Sequence, residues 1–198
     1  MRVAILDYGA GNLHSLAKAA RSGGADVSVT GNVVDALETE AILLPGVGAF
    51  GSAIEFLDPY RDRIRVALDA GLPCLGICLG MQLLFDSSEE GPGLGLGVIA
   101  GKVRRLGARR VPQIGWNTLE DARDPLLCST GLETAYFANS YVCEPVNRES
   151  VTAWATHEAD HFPAVVRARN VVGVQFHPEK SSAAGVDLIR AFLAEAAR

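Results

Sequence analysis

The stretch LPCLGICLGMQLLF (72–85) carries a cysteine flanked, two residues away on either side, by glycine, in the middle of an apolar run. C-L-G-I (74–77) is short and uninterruptedly hydrophobic, as a strand is when helices cover both faces of a parallel sheet. Upstream, Asp58 suits a helix cap, Pro59 a first turn and Gly71 an end, so a helix is predicted over about 59–70. Downstream the chain reads as the start of another helix, so Cys78 falls where a buried strand gives way to one. Working back towards the start, VAIL (3–6), an amphipathic stretch from 12 to 21, DVSVT (26–30), a short helical interval and AILLP (41–45) repeat the same alternation.

This βα alternation predicts an α/β fold: a doubly wound, mostly parallel sheet flanked by helices, flavodoxin-like in plan. The second half changes character. GVIAGKV, AYFANSYV, VTAWAT, AVVRA and VVGVQF are short β-type runs between Gly, Asn, Asp and Pro, which predicts added antiparallel hairpins, and a last helix over 185–196 aligns Val186, Ile189, Phe192 and Leu193. GPGLGLG (91–97) reads as a loop. With no repeat, linker or low-complexity tract, residues 1–198 are expected to form a single domain.

Composition narrows the function classes. A chain of 198 residues that is 48% hydrophobic is too apolar for disorder, and a net charge of −5 gives no electrostatic case for binding nucleic acid. The opening MRVAILDYG reaches an aspartate by position 7 and reads as a strand, not a secretory signal. No apolar run is long enough to span a bilayer, and a reducing, cytoplasmic setting is expected. Cys74, Cys78, Cys128 and Cys143 then read as free thiols. Cys74 and Cys78 have no second ligand pair, so neither a metal nor another cofactor is expected.

Gly76-Ile77-Cys78-Leu79-Gly80 has the G-x-nucleophile-x-G spacing of a nucleophile elbow, with the thiol raised above the sheet at a helix start, a setting that favours its reactive form. A nucleophile needs a base, and the base an orienting group. Of four histidines, His14 sits in the first helix, and His157 and His161 lie in THEADHF (156–162), read as an exposed loop. His177 ends the apolar run VVGVQF (171–176). In an extended segment Glu179, two residues on, points to the same side and can hold the imidazole. In LLPGVGAFG (43–51), Gly46 and Gly48 free the backbone at another strand end. An N–H near Val47 or Gly48, with that of Leu79, makes an oxyanion hole. Each motif alone has a plainer reading: a core cysteine, a capped strand end, a glycine turn. Together they make a constellation specific to acyl transfer at the carboxyl ends of strands.

P-G-V-G-x-F, G-I-C-L-G-M-Q and Q-F-H-P-E-K-S, in that order, resemble the class I, triad-type glutamine amidotransferases over essentially the whole chain. DYGAGNLHS (7–15), VPQIGWN (111–117) and YFANSYV (136–142) resemble in particular the glutaminase subunits of imidazole glycerol phosphate synthases, which serve histidine biosynthesis. The resemblance implies that Cys78 attacks the side-chain amide of L-glutamine, His177 moves the proton and Glu179 orients it. A thioester is then hydrolysed to glutamate, with release of ammonia. It implies that Gly46, Gly48, Gln82, Ser140 and Tyr141 hold the glutamine. It also implies a partner, a (β/α)8-barrel cyclase that receives the ammonia, with Asn12, Trp116, Asn117 and Lys180 as contacts. Gln113 and Asn139 depart from the family, which has histidine at both positions.

KVRRLGARR (102–110) reads as a solvated sheet edge. Other readings stay open on the residues: the glutaminase subunit of pyridoxal 5'-phosphate synthase, a non-catalytic flavodoxin-like module with an inert Cys78, or a cysteine peptidase. Dinucleotide binding at Gly9-Ala10-Gly11 is weaker, because position 14 is histidine and not the third glycine.

Overall fold

The computed structural model describes residues 1–9 and 13–198. Its strands are β1 (Arg2–Leu6), β2 (Asp26–Thr30), β3 (Ala41–Leu44), β4 (Cys74–Ile77), β5 (Ser87–Ser88), β6 (Gly101–Arg105), β7 (Gln113–Thr118), β8 (Thr134–Asn139), β9 (Tyr141–Pro145), β10 (Val151–His157), β11 (Asp160–Ala168) and β12 (Val171–Val174). The helices are α1 (His14–Ser22), α2 (Val33–Leu37), α3 (Phe50–Leu57), α4 (Arg61–Asp69), α5 (Leu79–Leu83), α6 (Pro125–Thr130) and α7 (Ser182–Ala196).

Seven strands form the central sheet in the order β10-β11-β12-β4-β3-β1-β2. From β12 to β2 all pairs are parallel, and β10 and β11 extend the sheet antiparallel. Every residue of β3, β4 and β12 is buried, which is why these segments are apolar on both faces. The α/β architecture and the added antiparallel strands are as the sequence predicts. A smaller sheet, β5-β6-β9, and the hairpin β7-β8 lie beside the main one.

The 59–70 helix begins as a 3-10 turn, Asp58–Tyr60, before α4. Asp58 does not cap it; its carboxylate takes the Arg61 guanidinium. Helix α3 was not foreseen, although Phe50, Ala53, Ile54 and Leu57 form its buried i, i+3, i+4, i+7 stripe. Gln113 to Asn117 of VPQIGWN lie in β7, so Trp116 stands on a strand opposite Tyr136. AYFANSYV breaks at Ser140 into β8 and β9, which belong to different sheets. THEADHF is a tight hairpin, where His157 pairs with Asp160 and His161 stacks on Trp154 at 4.6 Å. The basic run is no edge, because β6 pairs on both sides and its Arg104 forms a two-pronged bond to Asp160 at 2.7 Å.

Candidate active site

Three neighbouring strands of the sheet, β12, β4 and β3, end at one rim, and each delivers one component of the site. From β4 comes Cys78, at φ +48 and ψ −104, a backbone state an L residue holds only under constraint. Its N–H donates to the Val174 carbonyl at 2.7 Å, which ties the elbow to β12. The flanking glycines are required sterically. A Cβ on Gly76 would stand 2.6 Å from the Gly80 carbonyl oxygen, and one on Gly80 would stand 2.1 Å from that of Leu44. Strand, turn and helix therefore close on one another only with bare backbone at both positions.

From β12 comes His177, which is 2% exposed. Its Nδ1 lies 2.8 Å from Glu179 Oε1. The contact arises differently from the extended geometry read in the sequence: Pro178–Lys180 form a 3-10 turn that folds the carboxylate back onto the ring. Ser181, fully buried, fixes this turn by donating from Oγ to the His177 carbonyl at 2.7 Å and accepting from the Tyr136 N–H at 2.9 Å. Burial pulls the imidazole pKa down. Hydrogen bonds to Cys78 and Glu179, with the charge of both, outweigh this and carry it up to about 9.

From β3 comes the Pro45–Gly48 turn, packed against both. A Cβ on Gly46 would meet the Ile77 carbonyl oxygen at 2.8 Å, His177 Cε1 at 2.9 Å and Cys78 Cβ at 3.0 Å, so ring and thiol flank one point on this backbone. Gly48, at φ +121, lies against the Leu79 side chain. Val47 between them is half-buried against the core. As the first residue of α5, Leu79 has an N–H with no acceptor inside the helix. Tyr8, buried beneath the loop, donates its hydroxyl to the Pro45 carbonyl. Burial, then the charges of Cys78 and Cys74, push that phenol up.

A cavity of about 220 Å³ opens over the thiol between Gly46, Gly48, Leu79, Gln82, Ser140 and Tyr141, with Ala138 and Asn139 behind. Gln82 donates to the Tyr141 carbonyl at 3.1 Å, which joins α5 to β9 across the cavity. Glu90, to which sequence reasoning gave no role, also lines the cavity and accepts from the Phe50 N–H at 3.1 Å. Nothing local signals it, since its partner is forty residues away. A larger hollow of about 590 Å³ beside Gly51 and Pro59 holds neither the cysteine nor a histidine, so chemistry and not size singles out this site.

The other thiols and imidazoles stand apart. Burial pushes Cys74 and Cys143 up, and both are closed off, while Cys128 is exposed on α6. His157 meets the Arg110 carbonyl at 2.9 Å on the far edge of the sheet. Gln113 and Asn139 face each other in the β7-β8 register, both 4% exposed. Trp116 is 57% exposed. Its ring meets Tyr136 edge-on at 6.3 Å, and the Tyr136 carbonyl accepts from the His177 N–H, which brings Trp116 to the side of the turn carrying the exposed Lys180. Asn117 is turned inward, donating to the Thr156 carbonyl at 2.9 Å. Asn12 lies outside the described residues. Among the described residues no cluster of His, Cys, Asp and Glu could hold a metal ion, and no helix is long and apolar enough to cross a membrane.

Comparison with known proteins gives the same direction. The family model for class-I glutamine amidotransferases matches residues 4–196. Imidazole glycerol phosphate synthase subunit HisH of Halobacterium salinarum is 44% identical, over 96% of this chain and 92% of its own. The subunit of the same name from Methanothermobacter thermautotrophicus is 43% identical over 96% and 97%. A crystal structure of a glutamine amidotransferase superposes with a TM-score of 0.77 at 22% identity, covering 99% of both chains, which shows the shared fold. The chain belongs to the class-I glutamine amidotransferase family and, within it, to the imidazole glycerol phosphate synthase subunit HisH family.

Proposed function

We propose that the chain is the glutaminase subunit of an imidazole glycerol phosphate synthase, a single cytoplasmic domain over residues 1–198. Cys78 is the nucleophile, His177 the proton carrier and Glu179 its orienting carboxylate. The observation that carries this is the adjacency of three strand ends, with thiol and imidazole flanking Gly46 and the carboxylate 2.8 Å from Nδ1.

The pKa of about 9 supports a ring that is protonated at neutral pH beside the Cys78 sulfur. The thiolate attacks the glutamine amide carbon, and the negative charge gathering on oxygen falls to the Leu79 N–H and to one from Val47 or Gly48. The imidazolium gives its proton to the departing nitrogen, so ammonia leaves and a thioester remains. Neutral His177 then takes a proton from water as that water attacks the thioester, and glutamate and the thiolate are restored. Gly46, Gly48, Gln82, Ser140 and Tyr141 hold the substrate, and the Glu90 carboxylate suits its α-ammonium group.

Ammonia freed into neutral water is mostly protonated and no longer a nucleophile, which is a physical reason for a partner. A (β/α)8-barrel cyclase docks at this mouth through Trp116 and Lys180; Asn12, the other expected contact, lies outside the described residues. The inward commitment of Asn117 leaves it a supporting part. The lone chain is a poor glutaminase, and rotation of the Pro45–Gly48 backbone on docking completes the oxyanion hole. Glutamate production, measured with and without the cyclase and its nucleotide substrate for wild type and Cys78→Ala, tests the assignment. Strong stimulation in wild type only is expected. Stimulation by a pyridoxal 5'-phosphate synthase barrel alone would overturn it.

A further inference from the structure

We propose that Gln175 is a catalytic residue: its side-chain amide donates a hydrogen bond to the Cys78 sulfur and stabilises the thiolate both before attack and as the leaving group of thioester hydrolysis. This rests on the reading of Cys78 as the nucleophile.

Gln175 follows β12 directly and is fully buried, and its N–H donates to the Ala164 carbonyl at 2.9 Å. The chain bends at Gln175 and Phe176; Phe176 packs in the core against Phe137 at 5.8 Å, while Gln175 and His177 both reach Cys78. One strand end therefore aims two polar side chains at the same sulfur. Gln175 Nε2 stands 3.5 Å from Cys78 Sγ. The orientation of the amide is fixed by its neighbours. The Tyr141 carbonyl, 3.1 Å away, can only accept, so the nitrogen of Gln82 faces it. That same nitrogen lies 3.3 Å from Gln175 Oε1, which must therefore be the oxygen, and the remaining Gln175 nitrogen turns to the sulfur.

An amide N–H is a good partner for a thiolate and a poor one for a thioester sulfur, which carries no net charge. The bond thus weakens when the glutamyl group acylates Cys78 and ammonia leaves. It re-forms when water adds to the thioester: the C–S bond breaks, its electron pair goes to sulfur, and the proton of water goes to His177. The same chain runs on to Gln82 on the cavity wall, so the sulfur is tied to a residue that glutamine itself touches.

Alkylation of Cys78 by iodoacetamide in the full chain tests this without any glutamine turnover, so its failure is distinct from failure of the glutaminase assignment. In folded Gln175→Met the rate at pH 7 is expected to fall about tenfold, with the pH profile moved upward, as loss of one hydrogen bond to a charged group dictates. An unchanged rate and profile would overturn the proposal. Should Gln175→Met fail to fold, 15N-labelled wild type decides. The Gln175 side-chain amide resonance must move when Cys78 is alkylated, and a resonance indifferent to alkylation would refute the bond.

Discussion

Gly46→Ala is the sharpest perturbation the site offers, because the added methyl group acts on geometry alone. The backbone at Gly46 lies outside the left-handed region, so no strain in φ confuses the result. The new Cβ would meet two rigid neighbours, the Ile77 carbonyl oxygen at 2.8 Å and Cys78 Cβ at 3.0 Å, and one ring atom, His177 Cε1, at 2.9 Å. Ordinary contact begins near 3.4 Å, so something must give by about half an ångström. The loop cannot simply withdraw, since Tyr8 holds the Pro45 carbonyl from behind. Nor can the elbow, whose N–H is held by Val174 at 2.7 Å. The imidazole is left to move away from the sulfur. Overpacking of this size costs about 1–3 kcal/mol of stability. Misplacing a reacting group by up to an ångström slows catalysis by as much as ~100-fold, so a loss of about 10- to 100-fold in glutamate release is expected. Thermal unfolding should show the chain still folded. Gly31→Ala is the matched control: its Cβ would meet nothing closer than the Asp7 carbonyl oxygen at 3.4 Å, and it should behave as wild type. Full glutaminase activity in folded Gly46→Ala would mean that ring and sulfur do not flank this backbone, and the reasoning would fail.

Further outcomes follow from the same geometry. An NMR titration of the His177 ring should find a midpoint near 9 in wild type, and Cys78→Ala should lower it, because burial then acts against one fewer stabilising partner; a midpoint that does not move would contradict the pairing. Fully buried Asp124 caps α6 and binds Arg167 through both oxygens at 2.9 Å. Asp124→Ala, which removes the α6 cap and leaves Arg167 paired with Glu195 alone, should cost about 1.5–3 kcal/mol in denaturant unfolding. Burial works to raise the Asp124 carboxyl, but bonds from Arg167 and the Leu126 N–H hold it below its ordinary 3.8. Its contribution is therefore complete above that value and is lost as pH falls through the depressed one, so the Asp124→Ala deficit should shrink in acid. Trp116→Ala should leave unfolding nearly unchanged while weakening association with the cyclase by about 30-fold in Kd, as for an exposed aromatic anchor, when read by titration calorimetry.

What the sequence made legible follows from how each segment is buried. Strands β3, β4 and β12 are covered on both faces and so read as unbroken apolar runs. The glycines of the elbow are legible because backbone packs on backbone there and no side chain fits. Strand β7 was hidden for the opposite reason. Its inward position at one end is the buried amide of Gln113, and its exposed positions include Ile114 and Trp116, so the usual alternation of apolar and polar residues is inverted. Helix α3 carried the correct stripe, but Gly51 and Ser52 in its first turn are weak helix formers that follow a glycine-rich loop. Glu90 and Gln175 belong to the site through partners forty or more residues away, and spacing along the chain cannot show such a contact. The constellation itself was legible because a parallel sheet gathers the carboxyl ends of its strands at one rim.

The distribution of rigidity also decides which part of the site a partner can control. Cys78 is held by β12 and by glycines that leave no room for another backbone path, and the His177 turn is clamped between Tyr136 and buried Ser181. Moving either would disturb the core of the central sheet. The Pro45–Gly48 turn differs, since Gly48 and the following Ala49 are exposed, and Gly48, at positive φ, can pass between positive and negative φ at little steric cost in either. Among the described residues, the Tyr8 hydroxyl holds it by hydrogen bond at the Pro45 carbonyl, and Val47 packs against the core. On the proposed function, a partner covering Trp116 and the mouth therefore reaches one movable component, the one assigned an oxyanion donor. Because oxyanion donors act on the transition state and not on the resting sulfur, control at this turn would change glutamine turnover while leaving the triad assembled. Cys78 should accordingly alkylate at similar rates with and without the cyclase while glutamate release differs by orders of magnitude. Parallel changes in both would place the switch at the sulfur or the imidazole instead.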